Sequence, residues 1–101
     1  MNNNALKSSA EILGKSRINH LQLASIPSNL RPKDEIEAYF IQEYLHNYLL
    51  EKQFGKVVGK KIGCTTKVMQ KYLRISNPCV GGVYDINVFE SYGQYFFDNF
   101  I

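Results

Sequence analysis

The chain has 101 residues, 45% hydrophobic and 21% charged, a balance that suits one folded domain and excludes an intrinsically disordered segment. No apolar run approaches the ~18 residues that a membrane-spanning helix needs, and the opening MNNNALKSSAEILGKS lacks the apolar core of a secretory signal. The net charge is only +3, but seven basic residues and no acidic one fall between Lys52 and Tyr84, which predicts a local surface facing an anion.

In chain order, Ala5, Leu6, Ala10, Ile12 and Leu13 predict a short amphipathic docking helix over 5–16, closed by Gly14. A connector from Ile18 to Arg31 follows, in which Pro27 and Pro32 exclude helix. Pro32 is placed to begin the next helix, and Asp34 with Glu37 has the form of a capping box. That helix is expected to run to Lys52. Ile36, Phe40, Ile41, Tyr44, Leu45, Tyr48 and Leu49 cover more than half its circumference, so it needs neighbours on more than one side.

After Gly55 the pattern changes. Val57-Val58 and Ile62 read as short strands, and Thr65 to Leu73 as a helix. Ser76-Asn77-Pro78 and Gly81-Gly82 are turn chemistry, and Val83 to Phe89 alternates as a strand with Asp85 on the face of Val83 and Asn87. The stretch GKKIGCTT joins lysines, a glycine turn and a helix start, a way of holding a cation beside backbone N–H groups. It is no P-loop, since the four-residue spacer and the terminal Lys-Ser/Thr are missing.

His20 and His46 lack the spacing of a metal pair and read as surface or helix-face residues. Cys64 and Cys79 have no CxxC spacing and read as reduced thiols of a cytoplasmic protein. The lysine block follows no nucleic-acid-binding motif, and its lysines are not interleaved with aromatics. Nucleic acid is therefore not an expected partner, and neither is a membrane.

Four stretches taken together resemble a known family: Ile26-Pro27…Leu30-Arg31-Pro32, Ala38-Tyr39…Ile41-Gln42, Gly59-Lys60-Lys61-Ile62-Gly63-Cys64-Thr65 and Gly82-Val83-Tyr84-Asp85. In this order they resemble the N-terminal part of the 2-keto-4-pentenoate hydratase and 4-oxalocrotonate decarboxylase group of the fumarylacetoacetate hydrolase superfamily. The resemblance spans residues 5–101. It departs at Cys64, where the family has leucine, at Asn87, where it has methionine, and in the aromatic tail Tyr95 to Phe97.

The resemblance implies an α+β fold in which residues 1–54 are helical and 55–101 begin a β-roll. It implies a lyase adding water to a 2-hydroxy-dienoate or 2-oxo-enoate, with Lys61 and Asp85 as catalytic residues and Gly63 and Thr65 at the substrate. It also implies Mg²⁺ or Mn²⁺ on glutamates that, in the family, follow the position of Ile101. The aromatic, unfinished tail adds the expectation of a chain cut short, which by itself binds no metal and does not catalyse. A homo-oligomer or a complementary chain is then the expected partner, whether the chain is half of a split enzyme or a non-catalytic binding relic.

Overall fold

The computed structural model describes residues 1–99. The fold is mixed α+β: three helices, α1 (Asn3–Ile18), α2 (Glu35–Glu51) and α3 (Lys67–Leu73), and two antiparallel strands, β1 (Val57–Gly63) and β2 (Cys79–Tyr84). α1 and α2 pack as a helical pair, the hairpin leans on the other side of α2, and α3 lies within the β1–β2 connection. No helix among the described residues is long and apolar enough to cross a membrane. Phe100 and Ile101, the end of the aromatic tail, lie outside the described residues.

α1 runs two residues further in each direction than its apolar pattern predicts. Asn2 caps its start by accepting the Ala5 N–H at 2.8 Å, and Asn19 closes it. Gly14 does not end the helix but lies buried inside it, because the Tyr48 ring of α2 occupies the space a Cβ would fill. A small residue is needed there for the backbones to approach. Leu6, Ala10 and Ile41 form the core of this pair, with Met1, Leu13, Tyr44 and Leu45 packed around it.

α2 begins later than Pro32 suggests. Asp34 is the N-cap and accepts the Glu37 N–H at 2.8 Å, which leaves Pro32 two residues outside the helix. The capping box is half formed. Glu37 turns its carboxylate not to Asp34 but to the Lys33 N–H at 2.9 Å and to the Met1 ammonium at 2.6 Å. That pairing ties the start of α1 to the start of α2, and the hydrogen bond from Lys33, backed by the ammonium, holds the Glu37 carboxyl below its ordinary range.

The two expected fragments Val57-Val58 and Ile62 belong to one strand, bulged between Val57 and Gly59. Gly81-Gly82 is not a turn. Both glycines sit within β2, opposite Lys61 and Lys60, and their missing side chains leave room for the Lys61 stem on one face and the His46 ring on the other. The strand predicted over Val83 to Phe89 ends at Tyr84. Asp85 donates its N–H to the Lys56 carbonyl and accepts the Lys56 N–H on Oδ1, and the chain then turns through a 3-10 segment, Asp85–Asn87. Asp85 therefore shares no strand face with Asn87.

Candidate functional site

The outer edge of β2 would expose unpaired backbone groups, and α2 covers it. The Tyr39 hydroxyl accepts the Val80 N–H at 3.0 Å, and one turn later Gln42 Nε2 donates to the Val80 carbonyl at 3.1 Å. These two contacts fasten α2 to β2 at Val80. Between α2 and the sheet opens a cleft of about 720 Å³, within the size range of small-molecule sites (~300–1,000 Å³).

Tyr39, Gln42 and His46, at positions i, i+3 and i+7 of α2, line one wall, and Val57, Lys60 and Gly82 line the other. His46 is mostly enclosed. Its ring meets Tyr84 edge-on at 5.8 Å, its Nδ1 stands 3.7 Å from the Glu43 carboxylate, and Gly82 lets its Nε2 lie against the strand. Burial pushes the Tyr84 hydroxyl's pKa up, partly offset by the Arg17 guanidinium 4.7 Å above the ring. Lys56, Lys60, Asn47 and Asn77 also line the cleft, with Glu43 as its carboxylate. Two lysines against one carboxylate, with a histidine and carboxamides, give the cleft a positive balance that suits a small organic anion.

The residues implied by resemblance lie elsewhere on the hairpin. Lys61 faces away from the cleft and runs its stem across Gly81. Gly63 ends β1 opposite Cys79, and Thr65 is exposed just before Thr66, the N-cap of α3. Lys61, Gly63 and Thr65 thus follow one another along one end of the hairpin. Asp85 is at the other end: from Gly81, the partner of Lys61, to Tyr84 is three strand steps, or about 10 Å. The structure brings the first three together and sets Asp85 apart.

Among the described residues no three His, Cys, Asp or Glu side chains come together to hold a metal ion. Mg²⁺ and Mn²⁺ need an octahedron of oxygen ligands, with carboxylates among them.

Sequence pattern alone does not single out His46, and the resemblance points to Lys61 rather than Lys60. A signal was available in the polar stripe Tyr39–Gln42–His46, which interrupts an otherwise apolar helix at helical spacing. The choice between adjacent lysines depends on which face of the strand meets α2, and strand alternation alone does not fix that. Comparison of the chain with family models, with curated proteins and with solved structures gives no match in any of the three.

Proposed function

We propose that the chain is the N-terminal region of a lyase of the 2-keto-4-pentenoate hydratase type, folding toward a β-roll that further structure completes. One observation supports this reading: three of the four stretches on which the resemblance rests meet at the β1–β2 ladder. Tyr39 and Gln42 grip Val80, the Gly59–Gly63 stretch pairs with the strand that leads into Val83-Tyr84-Asp85, and Asp85 bonds Lys56 at the start of that ladder. Residues far apart in sequence thus belong to one unit, as parts of one site's scaffold would.

In this reading Lys61 holds the carboxylate of a 2-oxo or 2-hydroxy unsaturated acid, and Gly63 and Thr65 line its position. Asp85 is the proton-transfer residue. The metal belongs to carboxylates outside this chain, so these residues alone bind but do not turn over. The test has two stages. Titration of the isolated chain with a 2-oxo acid such as pyruvate, followed by NMR, should move the Lys61 and Thr65 signals. Shifts confined to His46 and Lys60 would place the anion in the cleft instead and remove Lys61 from the site. Co-expression with a segment bearing the two family glutamates should then give Mg²⁺-dependent hydration of a 2-hydroxydienoate, lost in Lys61→Ala. No turnover with any such segment would end the lyase reading.

A second reading, a partner-binding protein without catalysis, is favoured by the surface. The chain exposes 8034 Å², whereas a folded monomer of 11.6 kDa exposes about 5,800 Å². Large apolar side chains are among those exposed: Ile36 and Phe40 on α2, Ile62 on β1, Val68 and Tyr72 on α3, and Phe96 and Phe97 in the tail. A dilution series by analytical ultracentrifugation, together with the turnover assay, separates the two readings. A stable oligomer that is inactive in every combination supports the second.

A further inference from the structure

The two cysteines, fifteen positions apart in sequence, meet at the open end of the hairpin. Gly63, the last residue of β1, pairs with Cys79, the first of β2, and Cys64 is the next residue of the chain. Its backbone is left-handed, with φ of 55°, which bends the chain just past the pair. Gln70, itself buried, fixes this bend by donating its side-chain N–H to the Cys64 carbonyl at 2.9 Å. Cross-strand partners stand about 4.5–5.5 Å apart at Cα, and a disulfide spans about 4.4–6.8 Å. Cys64, one residue beyond such a partner, is therefore within reach of Cys79.

Both thiols are free and half-buried. Between them runs the α3 excursion, residues 65–78, whose Val68 and Tyr72 side chains are over four-fifths exposed. The ladder beneath it, the Gln70 bond and a 3.4 Å bond from Asn77 Nδ2 to Glu35 Oε1 of α2 restrain this segment.

We propose that Cys64 and Cys79 form a reversible dithiol–disulfide site that clasps the two ends of the α3 excursion, with low-molecular-weight disulfides as its oxidant class. The Cys64 thiolate attacks one sulfur of the oxidant, whose S–S bond breaks to release one small thiol. The Cys79 thiolate then attacks the Cys64 sulfur of the mixed disulfide and expels the second small thiol. Two protein thiols are oxidised, one small disulfide is reduced to two thiols, and the two protons leave on those thiols. Burial and the hydrogen bond to Cys64 push the Cys79 thiol's pKa up, which suits Cys79 to the second, resolving step. The site is independent of the lyase reading.

The experiment equilibrates the full chain in buffers of graded reduced-to-oxidised glutathione ratio, quenches with an alkylating agent and maps the products by mass spectrometry. The expected product is a monomer lighter by two hydrogens, with a Cys64–Cys79 cross-linked peptide, restored by dithiothreitol. Amide exchange over residues 65–78 should slow roughly tenfold or more in the oxidised form. Cys79→Ser should instead retain a glutathione adduct on Cys64, because no neighbouring thiol remains to displace it. Persistent glutathione adducts on the unsubstituted chain, or disulfides between chains as the main product, would overturn the proposal.

Discussion

The Tyr39 hydroxyl accepts the Val80 N–H at 3.0 Å, and through this bond a helix, rather than a third strand, covers the outer edge of the sheet. Gln42 completes the pairing from one turn further on. Tyr39→Phe keeps the ring and removes the acceptor. It should destabilise the chain by about 1 kcal/mol, the net worth of one partly exposed hydrogen bond. Urea unfolding reads the change as a lower midpoint with an unchanged slope, and the Val80 amide should lose exchange protection first.

Ser9 gives a prediction of opposite sign. It is fully buried, and its hydroxyl has no hydrogen-bond partner. Ser9→Ala removes that unsatisfied group and improves helix propensity. The chain should gain about 1 kcal/mol, read as a rise in thermal midpoint. A loss of stability would mean that the hydroxyl finds a partner after all.

Gly14 sits where the Tyr48 ring covers the helix backbone. Gly14→Ala would gain up to ~1 kcal/mol of helix propensity on an exposed surface, but here the methyl overlaps the ring and forces the helix pair apart. The net effect should be a loss of about 1–3 kcal/mol, the usual cost of overpacking. Gly14→Ala combined with Tyr48→Ala should recover part of it, which calorimetry of the single and double variants would show.

Asp85 separates a structural role from a chemical one. Asparagine keeps an oxygen to accept the Lys56 N–H but cannot exchange a proton as a carboxylate does. Asp85→Asn should leave the thermal midpoint nearly unchanged, whereas Asp85→Ala should cost about 1 kcal/mol. In the co-expression assay, loss of turnover in Asp85→Asn would identify proton transfer. Full turnover would leave Asp85 only its bond to Lys56.

Glu37 sets the acid limit of the helix pair. Its carboxyl is held below the ordinary range by the Lys33 N–H and the Met1 ammonium, so the folded chain binds that proton more weakly than the unfolded chain does. The stabilisation is therefore complete above the ordinary glutamate range and is lost as pH falls through the lowered value. Thermal midpoints followed from neutral into acid should fall on that side, and Glu37→Gln should flatten the decline. An unchanged acid slope in the variant would remove Glu37 from the cause.

The sequence by itself determined the mixed α+β class and that three helices form among the described residues, though not where each begins and ends. Asp34 and Thr66 mark helix starts through their own side chains, which accept the N–H three residues on, and such caps are written in adjacent residues. The α+β division near Gly55 followed in the same way from a change of apolar period. What tertiary structure decided were the positions where another element fills the space: Gly14 under Tyr48, Gly82 under His46, Gly81 under Lys61. Read locally, those glycines end helices and make turns; packed, they admit a neighbour. The same holds for the site. Adjacent lysines look alike in sequence, but α2 gripping Val80 sends Lys60 into the cleft and Lys61 away from it, because a strand alternates its faces and only a packed neighbour distinguishes them. Cys64 and Cys79 meet for a related reason: their proximity is a property of the strand register, which pairs Gly63 with Cys79 across a fifteen-residue detour.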